Sequence, residues 1–297
     1  MTGDKLARIL EARVSRPEAI AAAAAARRRP SSLFGPSGRM MVIAADHPAR
    51  GALRAGDRPL AMGDRTDLLD RMVLALSRPG VNGVLGTADV LEDLLLLGAL
   101  DDKVVFGSMN RGGLAGTAFE LDDRFTGYDA AALQDAGFEG GKMLFRIDPD
   151  DPATVVTMES CARAVNELAR RRLIAMVEPF MSTRVDGRVK NDLSPDAVIR
   201  SIAVAAGLGA TSAYTWLKLP VVDDMERVLA AATMPVLLLG GEVPEDPDVA
   251  FAAMRKALAV PTVQGLTIGR SLLYPDGDDV AGAVDTAVGL LAEGSVA

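Results

Sequence analysis

The sequence predicts an α/β fold of the closed (β/α)8 TIM barrel kind, and three observations predict it. Eight short apolar runs alternate with helical patterns from residue 39 to the C-terminus. Those runs are near-continuously apolar, as strands covered on both faces must be. A chain of 297 residues, 49% hydrophobic and without a break in composition, has the length of one large barrel with an extension. The competing arrangement is an open Rossmann-like sheet, but no G-x-G-x-x-G follows the first apolar run.

The strands fall at residues 40–45, 83–86, 104–107, 141–145, 173–177, 214–219, 235–239 and 263–268. Between them, segments such as 66–76, 88–97, 155–171, 195–205, 225–232 and 249–257 repeat apolar residues at three and four positions. That spacing gives a helix one apolar face to lay on a sheet. Asp64 and Thr66 can cap one helix, and Ser194 followed by Pro195 opens another. Residues 1–38, with an alanine run at 21–26, form an N-terminal helical extension that either closes the barrel bottom or mediates assembly, and residues 39–297 form the barrel. The stretch 181–193, with Arg184, Gly187, Arg188 and Lys190, is long enough for an active-site lid.

Composition excludes several classes of function. A formal charge of −8 argues against nucleic acid as a partner, because phosphate backbones need a basic face. The single cysteine, Cys161, rules out a disulfide framework and cysteine-ligated zinc, and its helical setting suggests inert packing. The single histidine, His47, rules out a poly-histidine metal centre and reads as a polar loop residue without a catalytic role. No metal or other cofactor is therefore expected. Neither a secretory signal nor a spanning segment is visible, so no membrane partner is expected and the cytoplasm is the default compartment. A homo-oligomer is expected, since barrels of this kind often assemble.

A barrel carries its chemistry at the C-terminal ends of its strands. Lys142 on strand four and Lys218 on strand six are each embedded in an apolar run, and Glu178 ends strand five. Only six lysines stand against 26 arginines, so a lysine inside a strand is conspicuous. An ammonium in a dry interior is costly and tends to give up its proton, and a neighbouring ammonium adds to that tendency. A neutral amine can attack a carbonyl and form a Schiff base. One lysine would attack, the other would stay charged, and Glu178 would carry protons. The alternative is that the lysines snorkel past the strand ends or pair with Glu178 and Asp46.

Gly240-Gly241 after strand seven and Gly269-Arg270 after strand eight occupy the common phosphate corner of such barrels. Backbone N–H groups can approach phosphate oxygens there, and Arg270 can clamp them, so a phosphorylated small molecule is the expected substrate. Asp46, at the mouth of strand one, can hydrogen-bond a substrate hydroxyl or simply cap its loop. Strand three runs into Ser108-Met109-Asn110-Arg111, in which Ser108 and Asn110 offer polar contacts to substrate. Arg146 lies four residues after Lys142 and so shares its face of the sheet. It suits an anionic substrate group near the scissile bond, or it neutralises Glu178.

Gly141-Lys142-Met143-Leu144, with Asp148-Pro149-Asp150-Asp151-Pro152 after it, resembles strand four of class I tagatose-bisphosphate aldolases. Glu178-Pro179 and Trp216-Leu217-Lys218-Leu219-Pro220 look like the functional strands that follow in that family. Asp46-His47 is similar to the first-strand signature of the wider group, which includes archaeal-type class I fructose-bisphosphate and deoxyribose-phosphate aldolases. The resemblance covers residues 39 to 273 and implies Lys218 as the Schiff-base lysine, Lys142 as the second lysine and Glu178 as the proton shuttle. It is closest to an actinobacterial branch associated with inositol catabolism. That branch implies cleavage of 5-dehydro-2-deoxy-6-phosphogluconate to dihydroxyacetone phosphate and malonate semialdehyde. Arg146, where tagatose-bisphosphate aldolases tend to have a tyrosine, would suit the carboxylate of that substrate. The other expectations are a tagatose-, fructose-bisphosphate or deoxyribose-phosphate aldolase, or a non-catalytic regulator that binds a sugar phosphate.

Overall fold

A computed structural model describes residues 3–240 and 247–293. Its strands are β1 Met40–Ala45, β2 Gly83–Gly86, β3 Val104–Ser108, β4 Gly140–Ile147 and β5 Ile174–Val185. They continue with β6 Arg188–Asn191, β7 Thr215–Pro220, β8 Val236–Leu239 and β9 Val263–Ile268. The helices are α1 Gly3–Ser15, α2 Glu18–Ala26, α3 Arg65–Ser77, α4 Ala88–Leu96, α5 Ala130–Asp135 and α6 Ala153–Arg170. After these come α7 Pro195–Ala206, α8 Met225–Leu229, α9 Pro247–Leu258, α10 Arg270–Leu273 and α11 Val280–Glu293.

All of these strands except β6 pair in parallel, in the order β4-β3-β2-β1-β9-β8-β7-β5, and β4 pairs with β5 to close the ring. The result is the expected (β/α)8 barrel. Asp64 accepts from the Thr66 and Asp67 amides at the start of α3, and Ser194 caps α7 with Pro195 in its first turn. Gly265 shows how tightly the strands approach: its φ is 152°, and a Cβ there would lie 1.9 Å from the Met40 carbonyl oxygen. No helix among the described residues is long and apolar enough to cross a membrane.

Strand alternation divides the core in two. Met41, Ile43, Val105, Met143, Val177 and Leu217 face outward into the helix layer. Met40, Val42, Phe106, Met176, Trp216 and Leu237 face inward and fill the lower barrel. The N-terminal helices pack beside the barrel, against α4. Arg13 ties α1 to Asp93 on α4, and Arg27 after α2 bonds the Lys103 and Gly137 carbonyls and Glu139. The plug is the segment that follows: Leu33 and Phe34 pack on the inner cluster, and Phe34 stacks on Trp216 at 6.1 Å between centroids. The Phe34 ring adds its large apolar surface to the inner cluster at the start of β7.

The 181–193 stretch contains a β-hairpin. Strand β5 runs on past the barrel rim and turns back antiparallel into β6. Asp186 and Gly187 form the turn with φ of 52° and 75°, the positive-φ pair that a two-residue hairpin requires.

Candidate active site

Inward positions on β4, β5 and β7 carry Lys142, Glu178 and Lys218, all buried above the apolar plug. Because each lies on a rigid strand and points the same way, their charged ends meet. The Lys218 ammonium donates to Glu178 Oε1 at 2.6 Å. Lys142 Nζ lies 2.5 Å from Glu178 Oε2 and 3.1 Å from Asp46 Oδ2. One carboxylate therefore bridges both lysines. Lys218 is not the isolated amine that its apolar flanks suggest, because Glu178 on the neighbouring strand reaches it.

The electrostatics follow from this packing. Burial alone would raise Glu178, but Lys142 and then Lys218 outweigh it and hold the carboxyl well below its ordinary range. Burial likewise opposes ionisation of Asp46, and Arg111 followed by Lys142 overcomes it. The Lys142 ammonium is pushed down by burial and then by Arg111, against the pull of Asp46 and Glu178. His47, next to Asp46 at the rim, is pushed down to about 3. Burial is the main cause, helped by the charges of Arg270 and Lys218 and opposed by Asp46. It is thus a neutral imidazole at ordinary pH. Among the described residues, no group of three or more His, Cys, Asp or Glu side chains is placed to hold a metal ion.

Asp46 is a hub rather than a loop cap. Its Oδ2 accepts from Ser108 Oγ at 3.1 Å and pairs with Arg111 Nη1 at 3.2 Å as well as with Lys142. Asn110 is placed differently from Ser108. Its amide spans to β4, donating to the Leu144 carbonyl at 2.6 Å and accepting from the Leu144 amide at 2.8 Å. Fully buried, it extends the β3–β4 pairing by one side chain.

Arg146 does not meet Glu178. It donates to Glu120 Oε1 at 2.7 Å and to the Glu120 carbonyl at 2.5 Å, with Asp123 Oδ2 3.7 Å away. Arg50 holds the same Glu120 oxygen at 2.8 Å. This second cluster pins the long segment between β3 and α5 over the mouth, and sequence reasoning missed its two carboxylates. Glu120 is 26 positions from Arg146 in a loop without a periodic pattern, so no local signal marks it. Arg111 was also overlooked, although it stands directly after Asn110 at a strand end.

At the expected phosphate corner, a Cβ on Gly240 would come 2.6 Å from Ile268 Cγ2. On Gly269 it would come 2.4 Å from the Ala44 carbonyl and 3.1 Å from His47 Cε1. Close packing thus demands glycine at both positions. Arg270 follows at the start of α10, with Nη1 3.5 Å from the Arg54 carbonyl. Gly241 lies outside the described residues. Cys161 is buried in α6, and burial pushes its thiol up, as inert packing requires.

Residues 38–288 match the family model described as Cgl0159-like. The structure of Cgl0159 from Corynebacterium glutamicum (Brevibacterium flavum) is 53% identical, covers 98% of each chain and superposes with a TM-score of 0.95. A Schiff base-forming fructose-1,6-bisphosphate aldolase shares the fold at 18% identity, covering 87% of this chain and 96% of its own, with a TM-score of 0.62. An archaeal fructose-1,6-bisphosphate aldolase, with its catalytic lysine covalently bound to a carbinolamine intermediate, does so at 17% identity. That match covers 89% of this chain and 97% of the other, with a TM-score of 0.61. No curated protein matches the chain.

Proposed function

The chain belongs to the Cgl0159-like family, and from that premise we propose that it is a carbon–carbon lyase, a class I aldolase acting on a phosphorylated keto sugar or sugar acid. One observation carries the proposal: a single buried carboxylate, Glu178, bridges Lys142 and Lys218 inside the barrel. A structural ion pair needs only one lysine, and burying a second ammonium beside the same carboxylate adds a desolvation cost that supports a functional site.

Lys218 is the nucleophile. Its proton passes to Glu178, 2.6 Å away, and the free amine attacks the ketone carbon of the substrate. Lys142 remains charged and balances the oxyanion as the carbinolamine forms. Loss of water from the carbinolamine, with Glu178 returning the proton, gives the iminium ion. A carboxylate, Glu178 or Asp46, takes the proton of the hydroxyl β to the imine carbon. The carbon–carbon bond then breaks, its electron pair flows into the enamine, and the aldehyde leaves. Protonation of the enamine carbon and hydrolysis by water release dihydroxyacetone phosphate and regenerate Lys218. In this scheme the corner formed by Gly240, Gly269 and Arg270 receives the phosphate, and Ser108 holds Asp46 in place.

The substrate best suited to a phosphate corner and an arginine-rich opposite rim is 5-dehydro-2-deoxy-6-phosphogluconate, which leaves malonate semialdehyde as its aldehyde product. The test is dihydroxyacetone phosphate release, followed by its coupled reduction, from that acid and from tagatose and fructose 1,6-bisphosphates. Deoxyribose 5-phosphate cleavage is read by acetaldehyde. Product from at least one ketose phosphate is expected. Thermal stabilisation by these compounds with no product from any would instead favour a sugar-phosphate-binding regulator.

A further inference from the structure

The pairing registers of the barrel place another polar group level with the two lysines. At constant height, the tilted strands of such a barrel advance by one residue from each strand to the next, and alternate strands supply the inward side chains of one layer. Lys142 pairs with Met176; the residue after it, Val177, pairs with Leu217, and the next residue is Lys218. Lys218 pairs with Leu237, and the same walk runs through Leu238 and its partner Leu266 to Thr267. From Thr267 and its partner Val42 it passes through Ile43 and Val84 to Leu85. Phe106, Gly107 and Gly141 then lead back to Lys142. The circuit closes on itself, so Leu85, Lys142, Lys218 and Thr267 form one layer of the interior.

Thr267 faces inward like its partner Val42, while its chain neighbours Leu266 and Ile268 face the helices. It is 1% exposed, and its Oγ1 finds no partner among the described residues. Both register partners, Val42 and Leu239, are apolar. A buried hydroxyl without a partner destabilises a fold, and valine would fill the place without that cost. The layer gives the hydroxyl a task. Thr267 stands next to Lys218 in it and across the ring from Lys142, so an atom held over Lys218 Nζ meets an ammonium on one side and this hydroxyl on the other. Gly269 is the next inward position on the same strand, which sets Thr267 on the side of Lys218 nearer the glycine corner.

We propose that Thr267 is a further catalytic residue, whose Oγ1 donates to the oxygen on the ketone carbon once Lys218 has attacked. The proposal rests on the aldolase reading and adds to it a group that acts in making and hydrolysing the imine. When the carbinolamine collapses, the carbon–oxygen bond breaks and its electron pair leaves with the oxygen, while the nitrogen lone pair forms the C=N bond. Glu178 supplies the proton that turns the departing oxygen into water, and Thr267 keeps its own. The same hydroxyl then holds the water that attacks the iminium carbon in the last step.

The test follows deuterium uptake from heavy water at the carbon beside the ketone of dihydroxyacetone phosphate, a partial reaction that needs the imine and the enamine but no aldehyde. Thr267→Val should lower its kcat by roughly ten-fold with KM little changed. The thermal midpoint of that variant should equal or exceed the native one, since a buried hydroxyl without a partner is gone. Thr267→Ser, which keeps the hydroxyl, should stay within about three-fold of the native rate. Where the valine variant does not fold, Thr267→Ala set against Thr267→Ser makes the same comparison. Native exchange in the valine or alanine variant would overturn the role, as would a serine variant no faster than they are. No exchange by the native enzyme would instead count against the aldolase reading itself.

Discussion

The lower and upper halves of the barrel interior rest on the same strand alternation and hold opposite chemistry. Below, Met40, Val42, Phe106, Met176, Trp216 and Leu237 make a dry apolar plug sealed by Phe34. Above, Asp46, Ser108, Lys142, Glu178 and Lys218 occupy equivalent inward positions. The plug stabilises the fold by removing apolar surface from water. The charged layer works against that, and it persists because every charge in it meets an opposite one. The barrel thus places its apolar support and its charged layer on successive inward positions of the same strands, as at Met176 and Glu178 or Trp216 and Lys218.

The largest effect expected from breaking the upper layer is that of Lys218→Met. Cleavage activity should fall by about 10³-fold or more, since no other group replaces the nucleophile. The thermal midpoint should fall far less, because Lys142 still satisfies Glu178. Steady-state kinetics beside a thermal melt separates the two. Glu178→Gln should lower both together: two ammonium groups lose their shared carboxylate, at about 3–5 kcal/mol of stability. Activity should fall by about 10²–10⁴-fold with the proton carrier gone. Urea titration read with kinetics checks this pairing.

The lower layer should respond in the opposite sense. Met40→Ala should cost about 2–5 kcal/mol through the cavity it leaves, while kcat/KM of the folded fraction stays near native. A matching fall in kcat/KM would show that the two layers are coupled. The smallest expected effect lies at the rim. His47 stays neutral in the folded chain down to about 3, whereas the unfolded chain takes up that proton near its ordinary value of about 6.5. Stability present above about 6.5 is therefore lost progressively as the pH falls toward 3. His47→Gln should flatten the urea midpoint between pH 7 and pH 5, a window above the range where unfolded carboxylates titrate.

The legibility of the molecule in its sequence divides along similar lines. The eight barrel strands were visible because a strand covered on both faces is an uninterrupted apolar run. The extension of β5 was not, because beyond the rim its residues become polar and alternate, and the Asp186-Gly187 turn was the overlooked signal. The bottom plug was not legible because nothing local marks Phe34 as the partner of Trp216, 182 positions away. In the candidate site, Lys142, Glu178 and Lys218 stood out as charges placed among apolar neighbours. Glu120 and Asp123 sit in a loop where charge is ordinary, so only the folded chain brings them to Arg146. Arg146 and Asn110 were noticed for their strand-end positions, yet their partners depend on distant loop and backbone geometry.

The account depends on Lys218 forming a covalent bond to a ketone carbon. Borohydride reduction in the presence of dihydroxyacetone phosphate, followed by intact mass and peptide mapping, measures that bond directly. The predicted result is one reduced adduct per chain, located on Lys218. An enzyme that cleaves its substrate yet yields no adduct, or yields it on Lys142, would contradict the assignment.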